Sequence, residues 1–318
     1  MRLAARLPAT AGVPAPGPPR ATIDGRGAAR LHLEVGRRLD GLLQGNHLGL
    51  LPGPGSEPAE ARSYLPGDDV RRIDWSVSAR TMETHVRDAV AERELETTLV
   101  VDLTGSMAFG TSRWEKRELA ISVAAAFAHL AQGPGDRTGA LVLAAGGLRR
   151  VPPRSGRQAT LALLHSLLNT PRADGPGPGL ADALGHVLDP PRRRGLVVVV
   201  SDLLDPAGPS AWTSRLRRLA QRHDVLVAEV LDPRELALPD VGVLRLVDPE
   251  TGRELEVQTS SPKLRQRYAE AAAARRADHA AHVRAAGAGH VVLRTDGDWL
   301  RDLAAHLQRR RRTRGVVR

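Results

Sequence analysis

The chain has 318 residues, of which 42% are hydrophobic and 3% aromatic, with no cysteine and a formal charge of +10. That length suits one large domain or two small ones, with a core built mainly from Leu, Val and Ala. The absence of cysteine excludes disulfides, zinc–thiolate sites and cysteine nucleophiles, and fits a reducing compartment.

Residues 1–26 are rich in Pro, Ala and Gly and predict a disordered lead-in. Residues 29–43, "ARLHLEVGRRLDGLL", place apolar side chains at helical spacing. "LLPGPGSEP" (50–58) then breaks the chain, and "SYLPGDDVRRIDW" (63–75) follows. That stretch holds three acids (Asp68, Asp69, Asp74), two arginines (Arg71, Arg72), a Pro66-Gly67 turn and Trp75. Charges alternating so closely favour bidentate Arg–carboxylate pairs, and a tryptophan favours burial of its ring with the N–H bonded. The expectation is a clasp: region 27–94 held on the main domain by ion pairs and a buried Trp75. A docking surface for a partner protein is the compatible functional reading.

From residue 97 strands alternate with helices. "TTLVVDLTGSM" (97–107) is an apolar strand ending in a polar turn, followed by a helix over 114–132. A strand pair (138–147, 148–153) and helices near 156–169 and 180–188 come next. "GLVVVVSDLLD" (195–205) opens with an uncharged valine run that reads as a central strand covered on both faces. A helix (209–222), a strand (224–232), a hairpin (241–257, turning at Glu250 to Gly252), a helix (262–286), a strand (290–295) and a helix (298–310) complete the main domain, 95–310. A basic tail, 311–318, remains. The pattern predicts an α/β fold, a mostly parallel central sheet with helices on both faces. Such sheets place their sites beyond the carboxyl ends of strands, where strand order reverses, so the chemistry is expected after Val101 and after Val200.

Both loops are rich in oxygen ligands: Asp102, Thr104 and Ser106 after the first strand, Ser201, Asp202 and Asp205 after the valine strand. Hard oxygen sets suit Mg2+. "DLTGS" resembles the metal-ion-dependent adhesion site of von Willebrand factor A (vWA) domains, with Thr104 in place of a serine, and Asp202 matches that family's late aspartate. The resemblance implies a metal set of Asp102, Thr104, Ser106 and Asp202, with Mg2+ offering an open position to a partner's carboxylate. It also departs: Pro178 or Gly179 stands where the family has a threonine, with Asp174 and Asp182 nearby.

The run Tyr64, Gly67, Asp68, Asp69, Arg71, Arg72, Ile73, Asp74, Trp75, Ala79, Arg80 and Thr81, followed by a vWA-like pattern, closely resembles the bacterial family called domain of unknown function fifty-eight. The resemblance covers about residues 27–310. It implies a vWA-like, Rossmann-like fold and a non-enzymatic interaction module. It further implies work with a MoxR-type AAA+ ATPase in the assembly or maturation of a client protein complex.

Other classes are disfavoured. No phosphate-binding Gly-x-x-x-x-Gly-Lys-Ser/Thr motif is present, so ATPase activity would lie in a partner. The positive charge is nearly all arginine, Lys116 and Lys263 being the only lysines; this reads as coding bias, and nucleic-acid binding would add stacking aromatics. "LAISVAAAFAHLA" (119–131) is shorter than the ~20 residues a bilayer needs, and the N-terminus lacks the apolar stretch of a signal peptide. The expected location is the cytoplasm. His279 and His282, at i, i+3, read as a solvated helix face rather than a zinc site. The alternatives are a metal-dependent, phosphatase-like hydrolase using the same carboxylates, or a basic nucleic-acid binder.

Overall fold

The computed structural model describes residues 4–5, 25–43, 61–65, 70, 73–87, 95–133, 135–172, 175, 177–189, 194–247 and 253–315. Of the expectations above, the break at 50–58, Pro66, Gly67, Asp68, Asp69, Arg71, Arg72, Asp174, the hairpin turn at Glu250 to Gly252 and residues 316–318 of the basic tail lie outside these residues, as does the lead-in apart from Ala4–Ala5 (β1) and the start of the first helix.

Helix α1 (Gly25–Leu43) forms because Ala28, His32, Val35, Leu39 and Leu43 recur on one face, and that face is buried. At Gly36 the helix comes so close to its neighbour that an added Cβ would stand 3.0 Å from the His129 ring. Next, β2 (Ala61–Ser63) pairs antiparallel with β3 (His85–Arg87), and the short helix α2 (Trp75–Thr81) lies between them in sequence.

The main sheet begins with β4 (Glu96–Asp102), followed by α3 (Lys116–Leu130), β5 (Arg137–Ala144), β6 (Gly147–Arg154), α4 (Arg157–Leu168) and α5 (Leu180–Leu188). It continues through β7 (Leu196–Ser201), α6 (Pro209–Arg222) and β8 (Asp224–Leu231). The strands β9 (Val243–Val247) and β10 (Glu254–Gln258) form an antiparallel pair, with β1 on the other side of β9. Helix α7 (Pro262–Ala285), strand β11 (Gly289–Arg294) and helix α8 (Trp299–Gly315) close the chain. The last helix thus runs past residue 310, into the segment read as a basic tail.

Six strands form the central sheet in the order β11-β8-β7-β4-β5-β6. All neighbours are parallel except β5 and β6. This is the doubly wound α/β arrangement that the alternating pattern predicted, and strand order reverses between β4 and β7. Side chains alternate across it. Leu99, Val101, Val198 and Val200 point into a core shared with α1, α3, α4 and α8. Val100, Val197, Val199 and Val227 point into one shared with α5, α6 and α7. Every residue of β7 is buried, which is why its sequence is a valine run without alternation. Among the described residues no helix is long and apolar enough to cross a membrane.

Because α1 contributes to the same core as α3 and α4, it is part of the main fold. Leu39 is fully buried there, so Leu39→Ala is expected to lower unfolding free energy by about 2–5 kcal/mol. Urea denaturation followed by circular dichroism measures this; a loss below about 1 kcal/mol would mean α1 is peripheral.

Candidate functional site

The parallel register of β4 and β7 sets Val101 beside Val200, so Asp102 and Ser201 emerge side by side at the switch point. Asp102 Oδ1 accepts hydrogen bonds from the Thr104 amide (3.0 Å) and the Thr104 hydroxyl (2.6 Å), and its Oδ2 accepts from the Ser201 hydroxyl (2.7 Å). The Ser106 hydroxyl, carried on a 3-10 turn at Gly105–Met107, lies 3.4 Å from that of Thr104 and bonds Asp202. Asp202 also accepts from the Leu204 amide at 3.0 Å. The four residues singled out in sequence therefore lie together, all buried. Between Asp202 and Leu204, Leu203 adopts a left-handed backbone (φ 58°), an unfavourable state for a γ-branched residue and one of only two such non-glycine positions among the described residues.

Pro178 or Gly179, the place matched to the vWA family's threonine, has no side-chain hydroxyl, and Gly177 just before it packs against Thr104. A Cβ at Gly177 would stand 2.6 Å from the Thr104 methyl, so only glycine fits that approach. Asp102, Thr104, Pro178, Ser201 and Asp205 line a pocket of about 10 Å³, room for about one water. Asp205 accepts the Leu180 amide at 2.7 Å and the Ala207 amide at 2.8 Å, capping the start of α5. Asp182 faces solvent, 3.4 Å from Arg215.

Sequence reasoning missed the residue at the centre. Lys116, the first residue of α3, is 1% exposed and donates to Asp202 Oδ2 at 2.8 Å and Glu235 Oε1 at 2.6 Å. Its ammonium lies 5.8 Å from the centre of the Phe109 ring. Glu235 Oε2 accepts the Asp232 amide, and Asp232, fully buried, accepts the Thr111 amide, the Thr111 hydroxyl and the Thr295 hydroxyl. The loops after β4, β7, β8 and β11 are thereby stitched into one network. Two signals pointed to it: a lysine where this chain otherwise uses arginine, and the capping-box spacing of "DPRE" at 232–235.

Burial alone would lower the Lys116 ammonium, but the charges of Asp202 and Glu235 outweigh it and hold it above the usual lysine range. Burial would likewise raise Asp202, yet Lys116 brings it below the usual carboxylate range. Burial raises Glu235. Among the described residues no cation pairs with Asp102, and burial together with the charge of Asp202 pushes it up to about 6. These residues do not fit an adhesion-type Mg2+. A cation already sits on Asp202, and the threonine position has no side-chain hydroxyl.

A second buried carboxylate lies further down the sheet. Glu229 on β8 is 2.8 Å from His290 Nε2 on β11 and 3.7 Å from His279 Nδ1 on α7. The expectation of a solvated face is thus corrected for His279, which is 4% exposed: α7 turns that face onto the sheet, where Glu229 partners it. Burial would raise Glu229, but the two imidazoles pull it down to about 2.

The signature region is corrected in one respect. Asp74 caps α2, its Oδ1 accepting the Ser76 and Val77 amides, and its own amide bonds the His85 carbonyl. The Tyr64 amide bonds the Thr84 carbonyl, and Arg80 Nε donates to the Ser76 carbonyl. Trp75 is not the buried clasp residue that was expected: it is 72% exposed. It opens a two-turn helix that buries none of its residues, and Val86 on β3 is buried instead. Leu65, Val70 and Met82 are exposed as well.

Two pH responses follow. The folded-state pKa of Asp102 lies above its ordinary value, so the fold loses stability as pH rises from about 4 to 6, on the order of 3 kcal/mol in all. Asp102→Asn should flatten that slope and raise stability above pH about 6; an unchanged slope in urea titrations would refute the assignment. The folded-state pKa of Glu229 lies below its ordinary value, so its contribution is present above pH about 4.5 and is lost as pH falls toward about 2. Glu229→Gln is expected to lose on the order of 3 kcal/mol at neutral pH and to match wild type near pH 2.

Residues 60–278 match the family model described as "Protein of unknown function DUF58". Uncharacterized proteins of Mycobacterium bovis and Mycobacterium tuberculosis are each 50% identical over 285 residues, covering 89% of this chain and 88% of theirs. Among solved structures, the chain is similar to the conserved hypothetical protein BatB from Bacteroides thetaiotaomicron, with TM-score 0.40 and 14% identity over 68% of this chain and 98% of that one. It is also similar to a von Willebrand factor type A protein from Catenulispora acidiphila, with TM-score 0.37 and 11% identity over 72% and 43%. With a family model spanning most of its length and relatives identical at half their positions, this chain belongs to the DUF58 family.

Proposed function

We propose that this DUF58 protein is a non-enzymatic interaction module that works in the cytoplasm with a MoxR-type AAA+ ATPase, in the assembly or maturation of a client protein complex. The observation that carries the reading is the convergence of Asp102, Thr104, Ser106 and Asp202 at the switch point of a doubly wound sheet, where such folds bind their partners. The hydroxyls there bond carboxylates rather than an imidazole, so they are not set up as activated nucleophiles. A partner supplies ATP hydrolysis, since the chain has no phosphate-binding loop motif.

The signature region supplies a second contact. Trp75, Leu65, Val70 and Met82 are large apolar side chains left in solvent, and exposed aromatic anchors are typical of docking surfaces.

The test measures binding of the purified MoxR-type ATPase from the same bacterium by biolayer interferometry. Ser106→Ala combined with Asp102→Asn at the edge, and Trp75→Ala at the signature, are each expected to weaken binding about tenfold or more. Wild-type affinity in the folded edge variant would sink the edge as the docking site. Loss with Trp75→Ala alone would move docking to the signature region.

A further inference from the structure

We infer that Lys116 is the built-in cation of this site, its ammonium taking the place at Asp202 that a divalent metal ion would need, so that the carboxyl edge is assembled without metal. The geometry leaves little alternative for the lysine. It is buried to 1% exposure, it donates to carboxylates from two different loops at 2.8 and 2.6 Å, and it starts the helix that follows the Asp102–Ser106 turn. A buried ammonium with two anionic partners is held strongly, because removing it would strand both acids away from water.

The surroundings agree. A metal ion bridging the two aspartates would lie close to a fixed positive charge, and repulsion between like charges is strong where water is excluded. The Gly177-Pro178-Gly179 segment supplies no side-chain hydroxyl, and a Cβ at Gly177 would stand 2.6 Å from the Thr104 methyl. Asp202, Glu235 and Asp232 are instead satisfied by protein donors: the Lys116 ammonium, the Leu204 and Arg234 amides, and the Thr111 and Thr295 hydroxyls. The site thus keeps the carboxylates and hydroxyls of an adhesion-type centre while a side chain does the ion's structural work. This inference does not rest on the docking reading, since it concerns metal and stability and not any partner.

The test begins with calorimetric titration of Mg2+, and separately Mn2+, into the wild-type protein. No saturable binding is expected, and the melting temperature should be the same in excess chelator and in millimolar Mg2+. Lys116→Met should melt well below wild type, and divalent cation should now raise its melting temperature by several degrees, since the place at Asp202 is vacated. If Lys116→Met alone does not fold, adding Asp202→Asn and Glu235→Gln should restore folding by removing the stranded charges. Saturable Mg2+ binding to wild type that is lost in Ser106→Ala would overturn the inference. So would a Lys116→Met protein as stable as wild type.

Discussion

The ammonium of Lys116, held between Asp202 and Glu235, is the contact on which the working end of this molecule depends. It ties the loop after β7 to the loop after β8, and it does so from the first residue of α3, the helix that follows β4. Through Asp232, whose amide donates to Glu235 and whose carboxylate accepts from Thr111 and Thr295, the same network reaches the loops after β4 and β11. Buried charge of this kind is a poor source of net stability, because desolvation offsets most of the attraction. What it gives is geometry: four loops that would otherwise move independently share one set of directional bonds.

The sheet beneath provides the platform. Parallel pairing of β4 with β7 sets two strand ends side by side, and the reversal of strand order leaves a crevice between them. The valine strand is covered on both faces, so the platform is rigid where the loops leave it. On that platform the Asp102 carboxyl is pushed up to about 6 by burial and the charge of Asp202, and Leu203 holds a left-handed backbone. Both features act against stability, as expected where a site has been kept for a purpose other than folding.

The signature region obeys a different logic. Its described part is held by backbone bonds and a helix cap: the β2–β3 pairing, the Asp74 cap and the Tyr64–Thr84 bond. Apolar side chains are turned outward, Trp75 above all. A tryptophan in a charged segment was read as a buried anchor because burial is the usual fate of its ring. Its place at the start of a short helix with no buried residue decides otherwise.

Most of the fold was legible in the sequence. Valine runs, Gly and Pro punctuation and helical spacing report local periodicity, which fixes the type and order of elements from β4 to α8. The oxygen-rich turns after β4 and β7 were legible for the same reason: strand ends can be counted along the chain. The partners of those turns were not. Lys116 is 86 residues from Asp202 and 119 from Glu235, and His279 meets Glu229 only because α7 packs across β8. The sequence by itself determined the α/β pattern, the family and the two acid-bearing loops. Only the tertiary structure decided which charge neutralises which and which aromatic faces solvent, because those depend on distances between segments that sequence separation does not encode.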